Sequence, residues 1–212
     1  MGRPRRCASA APRLVHKVIT LPLILASTSP IRRLLLSQSG LDFAVAAPAV
    51  DEVALQALIR GDGATLAQSL ATAKALSVEA AGDFVIGCDS VLEVEGRLYA
   101  KPADRAEAAR HLAEFSGRTM ILSSAVTLAR DSVVEWEHVD RATLHGRPLS
   151  PAFIAAYLDA EWPEVAYCVG VFRMEGRGVT LFERVDGSHF TILGLPLLPL
   201  LGALRERGEM AS

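Results

Sequence analysis

Cysteine is scarce in this chain. The three thiols, Cys7, Cys88 and Cys168, lie far apart with no C-x-x-C pair and no histidine at ligand spacing, which excludes a disulfide framework and a zinc site of the usual kinds. A reducing cytoplasm is the simplest setting for such a sequence. Long hydrophobic runs are missing too. The apolar stretch 193–201 is broken by Pro196 and Pro199 and falls short of the roughly 18 residues that a bilayer span requires, so no membrane association is expected. An excess of positive charge is also lacking. Residues 1–20 carry Arg3, Arg5, Arg6, Arg13 and Lys17 and no acid, leaving 17 basic against 24 acidic residues in the remainder, a net charge of −7. Such a body has no general electrostatic footprint for nucleic acid, and an anionic ligand must be held by local groups. Familiar catalytic signatures are absent as well. There is no G-x-x-x-x-G-K-[ST], no complete G-x-G-x-x-G, no G-x-S-x-G and no H-E-x-x-H, which removes the common nucleotide-fold, serine-hydrolase and zincin readings.

What remains is the composition of a folded domain: 212 residues, half of them hydrophobic and 22% charged, enough to bury a sizeable core without metal or disulfide. Residues 1–20 have no apolar core like that of a secretory signal and read as a disordered basic extension; residues 21–208 read as a single domain. The apolar run 21–26 stops at Ser-Thr-Ser-Pro, a buried strand delivering a loop, and Pro30 opens a helix closed by Gly40. Residues 63–80 have apolar positions at helical spacing through Leu66, Leu70 and Ala73. Residues 84–94 are β-rich, and Glu95-Gly96 offers a turn into 97–99. Asp104 with Glu107 resembles a capping box before a helix carrying Ala108, Leu112 and Phe115. Two more strands are expected at 119–129 and 133–144, a helix after Ser150-Pro151, a strand at 179–185 and a last helix at 196–207. This alternation predicts an α/β fold with a mixed sheet flanked by helices.

Four places in this order carry chemistry. Ser27-Thr-Ser-Pro-Ile-Arg-Arg33 sets hydroxyls, unpaired backbone N–H groups and two guanidinium groups at a helix start, where an anion is favoured; an ordinary N-capped helix with solvated arginines would have the same spacing. Asp51-Glu52, Asp89 at the end of a hydrophobic strand, and Lys101-Pro102 complete the set; without further context Asp51-Glu52 reads equally as a solvated loop pair and Asp89 as a strand-end cap. A carboxylate closing an apolar run needs a cation or donor nearby, because burying it alone is costly. Carboxylates from separate segments suit a hard divalent cation, with lysine neutralising phosphate beside it. Cys88 and His189 could form a nucleophile and base, but packing is the better reading of both. Trp136 and Trp162 read as core residues.

The collinear segments LILASTSPIRR (23–33), VDE (50–52), LATAKA (70–75), VIGCDS (85–90), KP (101–102), FSG (115–117) and GSHFTILGL (187–195) together resemble the Maf family of nucleoside triphosphate pyrophosphatases, with the likeness running over about residues 21–208. The resemblance implies two lobes around a central cleft, a divalent metal (Mg or Mn), often a homodimer, and hydrolysis of a nucleoside triphosphate to the monophosphate and pyrophosphate, which keeps non-standard nucleotides out of nucleic acids. By motif, Asp89 matches the proton acceptor, Glu52 and Asp89 the metal ligands, and Ser27, Arg32, Lys74 and Lys101 the phosphate-binding set. Ile31, Ser90 and Glu175 match the positions that select the base. The run CVGVFRMEGRG (168–178) followed by TLFER (180–184) is similar to the branch acting on 7-methylguanosine triphosphate. That branch carries an aromatic residue where this chain has Ile31 and glutamine where it has Ser90. The glutamate at 175 suits a guanine edge, since its oxygens can accept from N1–H and N2–H. A nucleotide-binding regulator of cell division without turnover is the alternative reading; a complete set of water-activating and phosphate-binding residues argues against it.

Overall fold

A computed structural model describes residues 23–210; the basic segment 1–20 lies outside the described residues. The chain begins with β1 (Leu23–Ala26), α1 (Pro30–Gln38), β2 (Phe43–Ala46), α2 (Glu52–Leu58) and α3 (Gly63–Leu76). It continues through β3 (Phe84–Val94), β4 (Arg97–Tyr99), α4 (Arg105–Phe115), β5 (Thr119–Arg130) and β6 (Val133–Gly146). After α5 (Pro151–Glu161) come two 3-10 turns (Glu164–Tyr167 and Arg177–Leu181), β7 (Phe182–Asp186), α6 (His189–Ile192) and α7 (Leu197–Glu206). The strands form one seven-stranded sheet in the order β2-β1-β3-β5-β6-β7, with β4 paired to β3. β1 is parallel to β2 and β3, and the remaining pairs are antiparallel, so the sheet is mixed, as the sequence predicts.

Local chemistry accounts for most boundaries. Ser29, Asp51, Asp62, Asp104 and Ser150 each cap a helix by accepting a backbone N–H with the side chain, which satisfies one of the donors a helix start leaves orphaned. Glu107 reaches back to the N–H of Ala103 at 2.7 Å, one residue earlier than the capping box would have it. Asp131 and Ser132 both have positive φ, as a tight turn between β5 and β6 demands.

Strand alternation sorts β3 between two environments. Val85, Gly87, Asp89 and Val91 face α3, where Leu66, Ala67, Leu70, Ala71 and Ala75 pack on the sheet. Phe84, Ile86 and Cys88 face the opposite side, under Leu35 and Leu36 of α1 and the leucines of α7. Further along that second side, Leu92 and Val94 join a separate cluster built by α4 and α5. The long strands β3 and β5 therefore underlie two apolar clusters. Ser90 of β3 and Ser124 of β5, directly paired, sit where one cluster gives way to the next, and a cleft opens there.

Three sequence expectations shift. Asp89 does not end its strand: β3 runs five residues further to Val94, and what changes near Asp89 is the core into which the strand packs. α3 stops at Leu76 rather than running to residue 80. The strand expected over 179–185 begins only at Phe182, because residues 177–181 form a 3-10 turn.

Candidate active site

Lys74 is the last polar position on the buried stripe of α3, and only 7% of its side chain meets solvent. Its Nζ donates to Asp89 Oδ1 at 2.5 Å and to Glu52 Oε1 at 2.8 Å. A lone ammonium could not be carried so deep; two carboxylates make the burial tolerable. Close approach of α3 to β3 sets the geometry. A Cβ on Gly87, two residues from Asp89 on the same face, would lie 2.1 Å from the Ala71 carbonyl oxygen and 2.6 Å from the Ala75 nitrogen. Glycine is what lets helix and strand meet closely enough for Lys74 to reach Asp89.

Glu52 opens α2, capped by Asp51. Burial alone would push its carboxyl up, but the hydrogen bond from Lys74 and the charges of Lys74, Lys101 and Arg32 outweigh that and hold it below the usual value. The Asp51-Glu52 pair thus divides its work, with one carboxylate capping a helix and the other aimed inward.

Arg32 ties three segments together. Its Nε donates to the Gly194 carbonyl at 2.7 Å, Nη1 to the Cys88 carbonyl at 3.0 Å and to Ser27 Oγ at 3.4 Å, and Nη2 to Ser90 Oγ at 3.1 Å. Most of its donors are engaged with protein, while its charge still reaches Glu52. Ser90 Oγ also meets Ser124 Oγ at 2.9 Å, and Ser124 donates to the Thr191 carbonyl at 2.8 Å. Gly194 has φ +90°, and a Cβ there would press on Ser90 Oγ at 3.1 Å, so this position favours glycine on both counts. Arg33 is exposed and outside the cleft lining, so the two adjacent guanidinium groups do not converge.

These groups line one cleft of about 580 Å³, within the range of small-molecule sites. Ser27, Ile31, Arg32, Glu52, Lys74, Asp89, Ser90, Lys101 and Glu175 all contribute to it, so the structure brings together the site residues that the family resemblance implied, while Arg33, Asp51, Cys88 and His189 are not in its lining. Residues that sequence reasoning passed over also line it, among them Glu164, Tyr167, Phe172 and Arg173; they fall on a short 3-10 turn and the irregular segment after it, which have no periodic signature. The thiols are poor nucleophile candidates. Burial pushes both Cys88 and Cys168 up to about 11, leaving them protonated at neutral pH.

The donor set tests the expected cation. Among the described residues no group of three or more His, Cys, Asp or Glu side chains could hold a metal. Two carboxylates converging on one point are hard oxygen donors of the kind Mg²⁺ uses when substrate phosphates complete its shell, and they fit a cation shared with a nucleotide better than one held by protein alone. No helix among the described residues is long and apolar enough to cross a membrane.

A family model described as "Maf-like protein" matches residues 22–207. The chain belongs to the Maf family. Among its relatives are the 7-methyl-GTP pyrophosphatase of Rhizobium etli, 47% identical over 91% of this chain and 99% of that protein, and the 7-methyl-GTP pyrophosphatase of Brucella suis, 45% identical over 88% and 96%. The nucleoside triphosphate pyrophosphatase of Nitrobacter hamburgensis is 47% identical over 90% of this Maf chain and 96% of its own. A solved nucleoside-triphosphatase / dITP/XTP pyrophosphatase from Mycobacterium abscessus shares 17% identity with a TM-score of 0.42, over 89% of this chain and 94% of that one.

Proposed function

We propose that this Maf protein is a nucleoside triphosphate pyrophosphatase that hydrolyses guanine-type, N7-methylated nucleotides to the nucleoside monophosphate and pyrophosphate, clearing non-standard nucleotides. The relatives named above support the reaction class. The observation that carries the reading is the meeting of Glu52 and Asp89 on Lys74 Nζ in a cleft that also holds Lys101, Ser27 and Arg32.

Asp89 is assigned as the proton acceptor. Lys74 takes Oδ1, and Oδ2 is the oxygen assigned to orient a water toward the α-phosphorus. As the new P–O bond forms, the water proton passes to the Asp89 carboxylate, the bond from the α-phosphorus to its bridging oxygen breaks, and pyrophosphate leaves. Lys74 and Lys101 neutralise charge that builds on the phosphate oxygens, and they act in a cleft where such charges are worth more than in bulk water. Ser27 and the N–H groups at the start of α1 receive phosphate oxygens. A Mg²⁺ or Mn²⁺ held by Glu52 and Asp89 would supply Lewis-acid polarisation of those oxygens when bound. Arg32 is a positioning residue as much as a phosphate contact, since it fixes Ser27, Ser90 and the Gly194 loop relative to one another.

A panel of canonical and N7-methylated triphosphates, assayed for pyrophosphate release with Mg²⁺, Mn²⁺ or EDTA, tests this. Turnover is expected with either cation, best with a guanine-type substrate, and Asp89→Asn should lower kcat by at least about a hundredfold, the lower end of what a general base supplies. Tight nucleotide binding by wild type with no pyrophosphate released would overturn the catalytic reading in favour of a binding module.

A further inference from the structure

One wall of the cleft comes from the segment after α5. The 3-10 turn Glu164–Tyr167 tucks Val165 fully into the core while Tyr167 stays 77% exposed, yet lines the cleft. A tyrosine ring left open inside a concave site offers a flat apolar face, the shape a nucleobase covers. The charges around it are unlike those at the phosphate end. Arg173, the cation of this wall, is bound to buried Glu161 through Nη2 at 3.0 Å and faces Glu164 through Nη1 at 3.7 Å. Glu175 lines the same wall, is exposed and forms no ion pair among the described residues. Glu164 and Glu175 thus outnumber Arg173 among the charged groups lining this wall, and behind it the buried Glu161 also pairs with Arg173 and with Arg177 at 3.9 Å. At the other end Lys74, Lys101 and Arg32 outnumber Glu52 and Asp89. The cleft is therefore polarised, with positive charge where phosphates would lie and acid beside an aromatic face where a base would lie.

Resting on the pyrophosphatase reading above, we infer that Tyr167 is the base-stacking residue of this enzyme and that, with Glu164, it selects a base carrying positive charge. N7-methylation places a cation in the guanine ring, and a ring cation gains from a π face and from carboxylates in a way a neutral guanine does not. Ile31, half-buried in the same lining, has no π face to give. Tyr167 supplies the aromatic surface from a different part of the chain.

The test pairs binding with turnover. Calorimetry of 7-methyl-GMP against GMP is run on wild type, Tyr167→Ala, Tyr167→Phe and Glu164→Gln, alongside KM and kcat for the two triphosphates. Tyr167→Ala is expected to weaken 7-methyl-GMP and raise KM for 7-methyl-GTP about tenfold, with GMP and GTP shifted less than about threefold and kcat held, as a desolvated cation–π contact predicts. Tyr167→Phe should keep the preference, and Glu164→Gln should reduce it in part. Because Tyr167 is exposed, its variants should unfold at the wild-type temperature. Equal loss for methylated and unmethylated ligands, or no loss, overturns the inference while leaving the pyrophosphatase intact. A wild type that releases no pyrophosphate but still shows Tyr167-dependent preference for 7-methyl-GMP would sink the catalytic reading alone.

Discussion

Lys74 shows how much of this site hangs on single charges. It sits at helical spacing from Leu70 on the inward stripe of α3, where the pattern of the sequence calls for another apolar residue, and only the likeness of LATAKA to the family motif marks it as chemical. Asp89 could be singled out from its residues, because a carboxylate within an apolar run must have a partner; which partner was not legible, since Lys74 comes from a helix and Glu52 from the start of another. The pair gives a pH prediction. The carboxyl of Glu52 is held below its ordinary value of 4.5, so its ion pair stabilises the fold fully above that pH and is lost as pH falls through the lower folded value. Glu52→Gln should therefore lower the unfolding temperature at pH 7, and the gap to wild type should close as the pH is taken down from 5 to 3, read by thermal melts at fixed ionic strength. A gap that stays constant over that range would mean that Glu52 contributes through packing or helix capping instead of charge.

At the scale of elements, what was legible followed from local rules. The caps at Asp104 and Ser150 and the Glu95-Gly96 turn are each decided by a few neighbouring residues. α2 and the 3-10 turns escaped because they are short, and short elements are held by tertiary contacts more than by propensity. β3 covers the β-rich segment 84–94 as expected; Asp89 and Ser90 interrupt its apolar run as a strand end would, whereas they mark the gap between two clusters on a continuing strand. Gly87 ties this element to the chemistry. Gly87→Ala puts a methyl group 2.1 Å from a backbone oxygen of α3, so helix and strand must separate, at a cost of about 1–3 kcal/mol for overpacking. The same separation lengthens the Lys74–Asp89 contact. We expect a lower unfolding temperature together with a fall in kcat much larger than the melt alone explains, measured on folded protein well below its transition. Gly82→Ala is a poor control because φ there is +79°. Gly202→Ala, where no atom lies within 4 Å of the added Cβ, should leave kcat unchanged.

At the scale of the whole molecule, the cleft draws its lining from residue 27 near the start of the described chain to residue 194 near its end. Both apolar clusters rest on β3 and β5, so neither has a sheet of its own, and we propose that the two lobes unfold as one unit. A ligand touching both then stabilises the entire fold. With Asp89→Asn, expected to turn over at least about a hundredfold more slowly, a nucleoside triphosphate at a hundred times its dissociation constant should add about 2.7 kcal/mol. For a chain of this size each kcal/mol raises the midpoint by about 2–4 °C, so a shift of roughly 5–11 °C in a single sharp transition is expected with Mg²⁺ present. Lys101→Ala in the same background should reduce the shift by weakening the hold on phosphate. Calorimetry that resolves two transitions, with only one moved by nucleotide, would show that the lobes fold separately and that the cleft belongs to one of them.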